Sequence, residues 1–245
     1  MLRKTVKVWN TVLSCGNRCT AARKAGGSTK KRKHRRDRCR ETRDREEQEL
    51  DTVLSADPVR LWTRQDPAVC REMIETGFYR VREEYIRRKN DTISEYYIDL
   101  YRWLTKEAGK YVDIPQGAAF PIWLTMSRSS SFEPSPGTVV MTFEIPRECV
   151  AVLNVTAWGY RQNYWYVPEN RDDEMRFRSE LVRCGVKEQD ELISSGKGNF
   201  YPLLTRQIRA SWSRVFTMRP KNFDDANALV WELRAEWLKE IREYE

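Results

Sequence analysis

The chain has 245 residues, of which 40% are hydrophobic, 11% aromatic and 33% charged, and its net charge is +8. That suits one ordinary domain with an appendage, and the apolar share is enough for a real core. No run approaches the ~20 apolar residues of a membrane-spanning helix, and Lys7 and Asn10 interrupt any signal-peptide core, so a soluble, cytoplasmic protein with no membrane partner is expected.

The basic excess sits in the N-terminal quarter. Residues 1–58 hold 16 Lys and Arg against 8 Asp and Glu, while the remainder balances at 28 of each. Nucleic acid is therefore an expected partner only through that segment. Residues 22–49 are almost purely polar, through Lys30-Lys31-Arg32-Lys33-His34-Arg35-Arg36, and offer too little apolar surface to offset the entropy of ordering. The composition predicts disorder over residues 1–58, with a transient helix over 37–54 where acids and bases alternate at helical spacing. Cys15, Cys19, His34 and Cys39 are loosely zinc-like in spacing, but no hydrophobic framework surrounds them, so no metal site is expected. The domain pattern begins abruptly at Val59. Because a GTG start codon reads as Val inside a longer frame, residues 1–58 are read as upstream sequence rather than native protein. Cys70, Cys149 and Cys184 are scattered singly, which predicts reduced thiols.

From residue 59 the pattern is that of a single α+β domain over 59–245, a small mixed or split β-sheet packed by several helices. Arg60–Gln65 alternates as a strand. Asp66-Pro67 is a helix start, Val69, Met73 and Ile74 follow at helical spacing, and Gly77 stops that helix. A strand over 78–81 comes next, then a helix over 93–104 with Tyr97, Leu100, Tyr101 and Leu104 on one stripe. Strands are predicted over 120–126 and 138–145, with a Ser/Pro-rich loop between them and a hairpin return over 149–153. In the second strand Val139, Met141, Phe143 and Ile145 share one face, and Val140, Thr142 and Glu144 the other. Helices are predicted over 172–184 and 201–216. Residues 229–245 satisfy both a strand and a helix period.

The only histidine is His34, which removes histidine-dependent nucleophilic and metal chemistry from the domain. Ser195-Gly196-Lys197-Gly198 lacks the spacing of a phosphate loop and reads as a turn. Chemistry built on carboxylates, amides and aromatics remains. One candidate is recognition of NAD, or of another nucleotide or nucleoside-like molecule, with ADP-ribosyl transfer. Trp62, Thr63 and Gln65 would bind substrate, Tyr79 or Trp123 would stack on nicotinamide, and Glu144 would be the catalytic carboxylate, by topological analogy with folds of that class. The plain alternative for Glu144 is a solvated strand glutamate. The other candidate is a non-catalytic module that binds nucleic acid or protein through the cluster 158–166. There Trp158, Tyr160, Tyr164, Trp165 and Tyr166 offer rings, Arg161 charge and Asn163 an amide edge; its plain alternative is core packing. Arg214 would clamp a phosphate or carboxylate, or pair with an acid.

Four segments together carry a resemblance. They are Arg60-Leu61-Trp62-Thr63-Arg64-Gln65; Phe120-Pro121-Ile122-Trp123-Leu124; the hairpin from Val139 to Leu153 running into Trp158 and Asn163; and Ala210-Ser211-Trp212-Ser213-Arg214-Val215-Phe216, followed by Val230-Trp231-Glu232-Leu233. In this order they resemble the bacterial and phage family catalogued as domain of unknown function 3841, over essentially residues 59–245. The Ser-Trp-x-Arg-hydrophobic-Phe element is the most specific part. The resemblance implies a domain opening at the Leu-Trp-Thr strand and no assigned activity. Asn154 and Gly159 stand where the family tends to have an Asp-rich approach and a His after the Trp.

Overall fold

In this computed structural model Thr42 and residues 44–128 and 135–244 are described. Residues 45–245 form one compact unit; of residues 1–44, which fall outside it, only Thr42 and Asp44 are described. Cys15, Cys19, His34, Cys39 and the basic run thus lie outside the described residues.

The first helix, α1 (44–55), corrects the expected boundary at residue 59. Leu50 on α1 is completely buried in the same cluster as Leu61 and Phe143, with Val53 and Leu54 packed beside it. Glu47 and Asp51 pair with Arg219 at 2.9 and 2.6 Å. The charge-rich composition of residues 1–58 concealed three apolar residues, Leu50, Val53 and Leu54, at the spacing that makes one helix face.

Strand β1 (Val59–Gln65) leads into α2 (Pro67–Thr76). Asp66 caps α2 by accepting from Ala68 N at 2.8 Å, and Gly77 ends it at φ +88°, as the sequence predicted. Next come β2 (Phe78–Tyr79), α3 (Glu83–Asn90), α4 (Ser94–Ala108), β3 (Ile122–Thr125), β4 (Thr138–Ile145) and β5 (Ala151–Asn154). The remainder is α5 (Val155–Gln162), α6 (Arg171–Arg183), α7 (Glu191–Ser194), α8 (Pro202–Ser211), α9 (Arg214–Thr217), β6 (Ala226–Val230), β7 (Leu233–Arg234) and β8 (Leu238–Tyr244). The ambiguous C-terminal stretch is therefore mostly strand, with a 3-10 turn at Ala235–Trp237 and, among its described residues, no α-helix. The helix expected over 201–216 breaks at Trp212, where Ser211 Oγ and Ser213 Oγ donate to the carbonyls of Ile208 (2.7 Å) and Ala210 (3.1 Å). Such back-bonding competes with the helical ladder.

The fold is α+β. Six strands pair in the order β5-β6-β3-β1-β4-β8, antiparallel throughout, and β2 pairs with β7 in a separate ribbon. Period-two alternation splits the core between the faces of the sheet. Leu61, Leu124, Met141, Phe143 and Val230 look towards α1 and α2. Trp123, Leu153 and Leu229 look the other way, towards α4, α5, α8 and α9. Among the described residues no helix is long and apolar enough to cross a membrane.

Candidate functional site

The residues assigned to NAD chemistry are divided by the sheet. Thr63 is buried and donates to Trp123 O at 3.0 Å, and Gln65 Nε2 donates to Thr63 Oγ1 at 2.8 Å. Both lie on the face of β1 that carries Leu61, and Tyr79 is buried in that same core. Glu144 is on the opposite face with Trp62, whose cross-strand partners are Thr125 and Thr142. Trp123 shares that face, set between Tyr101 and Trp158 with ring centroids 6.5 and 5.8 Å away. Glu144 is paired with Arg60 at 3.3 Å and Lys239 at 3.4 Å. Thr63, Gln65 and Tyr79 therefore cannot join Glu144 around one substrate, because side chains of opposite parity on a strand leave by opposite faces.

The second candidate set separates differently. Trp158 is core. Tyr166 is buried, stacks on Phe177 at 4.1 Å and donates its hydroxyl to the Asp173 carboxylate at 2.9 Å. Arg214 takes the structural option: it pairs with Glu169 at 2.8 Å and Asp173 at 3.1 Å, and donates to Val167 O. Burial would raise the Asp173 pKa, but the Glu169 N–H, the Tyr166 hydroxyl and the two arginines Arg214 and Arg176 hold it below its ordinary value. Asn163 caps α5, donating from Nδ2 to Gly159 O at 2.8 Å.

Arg161 has no such partner. Helix α5 is anchored at its start, where Asn154 Oδ1 accepts from Ala157 N at 2.8 Å. There Asp225 also accepts from Asn154 Nδ2 (2.9 Å), Thr156 N (3.0 Å) and Thr156 Oγ1 (2.6 Å). From that start the helical period places Ala157, Trp158 and Arg161 on the buried face, so an arginine occupies a position that the pattern reserves for an apolar side chain. Its Cζ lies 3.8 Å from the ring centre of Trp212, 4.6 Å from Trp103 and 5.5 Å from Tyr164. The residue is 6% exposed, and Nε and Nη1 are sealed from water without a hydrogen-bond partner. No carboxylate among the described residues pairs with it. Burial pushes its pKa down to about 10, and the charge of Arg209 acts in the same direction; the group stays protonated at neutral pH.

The cage is held by its own contacts. Trp212 is buried and donates Nε1–H to Trp165 O at 2.9 Å. Trp103 and Tyr164 approach its ring at 6.1 and 6.3 Å. Tyr96 packs edge-on to Tyr164 at 5.9 Å and donates its hydroxyl to Gln162 O. Tyr164 sits in the left-handed region at φ +59°. It occupies the first position past the cap of α5, with Tyr164 N–H bonded to Arg161 O (3.0 Å) and Trp165 N–H to Tyr160 O (2.9 Å). That is the Schellman arrangement, in which glycine is the usual occupant.

Trp103 and Tyr96 escaped the sequence reading. Both are on α4, about sixty residues before Arg161, and nothing local to them signals the pairing. An Arg in the core register of α5 was the one available signal. Among the described residues no group of three or more His, Cys, Asp or Glu side chains could hold a metal ion.

No curated protein and no solved structure matches the chain. One family model does, over residues 60–239, from the start of β1 into β8. With most of the compact unit inside that match, the chain belongs to the family described as Domain of unknown function (DUF3841).

Proposed function

We propose that this domain is a recognition module for a nucleotide-like ligand, bound at the Arg161 cage. One observation carries the reading: a protonated guanidinium, nine-tenths buried, faces three aromatic rings and no acid. Burying an unpaired charge costs several kcal/mol. A cation–π contact returns roughly 0.5–2 kcal/mol, so the rings offset only part of that cost. An arriving phosphate supplies the missing counter-charge at Nη2, which is not among the sealed atoms, and the partly buried rings of Trp103 and Tyr164 offer stacking surface to a base. The alternative, ADP-ribosyl transfer, has narrower support: Glu144, Trp62 and Trp123 share a sheet face, but Thr63, Gln65 and Tyr79 do not.

Thermal unfolding with millimolar AMP or NAD tests this reading. A ligand at 100 times its Kd adds about 2.7 kcal/mol, a rise of several degrees for a domain of this size. We expect that rise in the wild type and none in Arg161→Met. Equal rises in both proteins, or none in either, refute the reading. NAD turnover that vanishes in Glu144→Gln would move the function to the sheet.

A further inference from the structure

We infer that the ligand of this site is a nucleoside diphosphate, its two phosphates spanning Arg161 and Arg209 and its nucleoside lying in the groove between α7 and α8. The inference rests on the recognition reading above and specifies its substrate class. Arg209 is on α8, three residues before Trp212, and its Cζ lies 5.9 Å from the same indole that Arg161 covers at 3.8 Å. Two guanidinium groups thus address one ring. Among the described residues no acid pairs with either. A single phosphate at Arg161 leaves Arg209 without a partner; a pyrophosphate carries charge on both phosphorus centres and answers both cations.

Arg209 also lines an open groove of ≈ 660 Å³, which falls within the usual size of small-molecule sites. The groove is mixed in character. Ile193 and Pro202 give it apolar surface suited to a base, and Ser195 and Asn199 give hydroxyl and amide groups suited to ribose and base edges. Arg209 is the residue shared by the groove's lining and the surroundings of the Trp212 ring, 5.9 Å away, and the diphosphate would reach the cage past it.

The test is calorimetric titration of the full chain with the four common ribonucleoside monophosphates, their diphosphates and inorganic pyrophosphate. At least one diphosphate is expected to bind about tenfold or more tightly than its monophosphate, the worth of one charge-assisted contact. Arg209→Gln should erase that ratio and leave monophosphate affinity within about twofold, whereas Arg161→Met should remove both. Asn199→Trp, at an exposed position, should fill the groove and weaken the diphosphate without weakening pyrophosphate. Equal affinity for mono- and diphosphates, lost together in Arg161→Met and untouched by Arg209→Gln, overturns the inference and leaves the recognition reading standing. Binding of none of these compounds overturns both.

Discussion

Arg161 and Tyr164 each break a local rule within four residues of one another. An arginine stands in a core position without an acid, and a tyrosine stands in a backbone conformation that favours glycine. A left-handed non-glycine residue costs roughly 1–2 kcal/mol, and such costs collect at functional sites. If the two residues serve binding, removing them relieves the fold. Arg161→Met keeps volume and ring contact, since a thioether packs well on aromatic faces, and it deletes the buried charge. The expected outcome is a gain of about 1 kcal/mol in urea unfolding, with a comparable gain for Tyr164→Gly and loss of ligand binding in both. A loss exceeding about 2 kcal/mol in Arg161→Met would make the guanidinium a structural keystone instead.

Elements were legible in the sequence where their signals were local. The Asp66-Pro67 start and Gly77 stop of α2 and the alternation of β4 came out as read, because caps and period-two patterns act over a few residues. Two features did not. Helix α1 was legible only as a transient helix over 37–54, because its charged composition masked its apolar face, and its burial depends on contact with a sheet that the local sequence does not contain. The cage was hidden because its rings come from α4 and from the residues just past the ends of α5 and α8, segments joined only by the fold. Glu144 shows the opposite failure: its strand and face were legible, but its neighbours Arg60 and Lys239 were not. Helix α1 makes a clean test at this scale. Leu50 is completely buried, so Leu50→Ala should cost roughly 2–5 kcal/mol by chemical denaturation. A cost under about 0.5 kcal/mol, the range of a surface substitution, would return α1 to the appendage.

At the scale of the molecule, the two cores are opposite faces of one sheet rather than neighbouring domains. Strand β3 sends Ile122 and Leu124 into one core and Trp123 into the other; β6 sends Ala228 and Val230 one way and Leu229 the other. The same backbone hydrogen bonds, β3 with β6 and β1 with β4, support both faces. Neither core can be lost while the other keeps its floor, so the region 45–245 should unfold in one cooperative step despite exceeding the size at which that is routine. The tryptophans make this measurable. Trp103, Trp123, Trp158, Trp212 and Trp231 all belong to the core on the α4–α5 side and Trp237 packs against the other, so fluorescence in a Trp237→Phe background reports mainly the first face, while far-UV circular dichroism reports the whole. Leu124→Ala removes a side chain from the opposite core and should cost roughly 2–5 kcal/mol. If the sheet couples the faces, the fluorescence and dichroism midpoints move together by the same amount. If the fluorescence midpoint stays at its wild-type value while the dichroism midpoint falls, the faces are independent. The Arg161 cage would then be insulated from changes in the α1–α2 core.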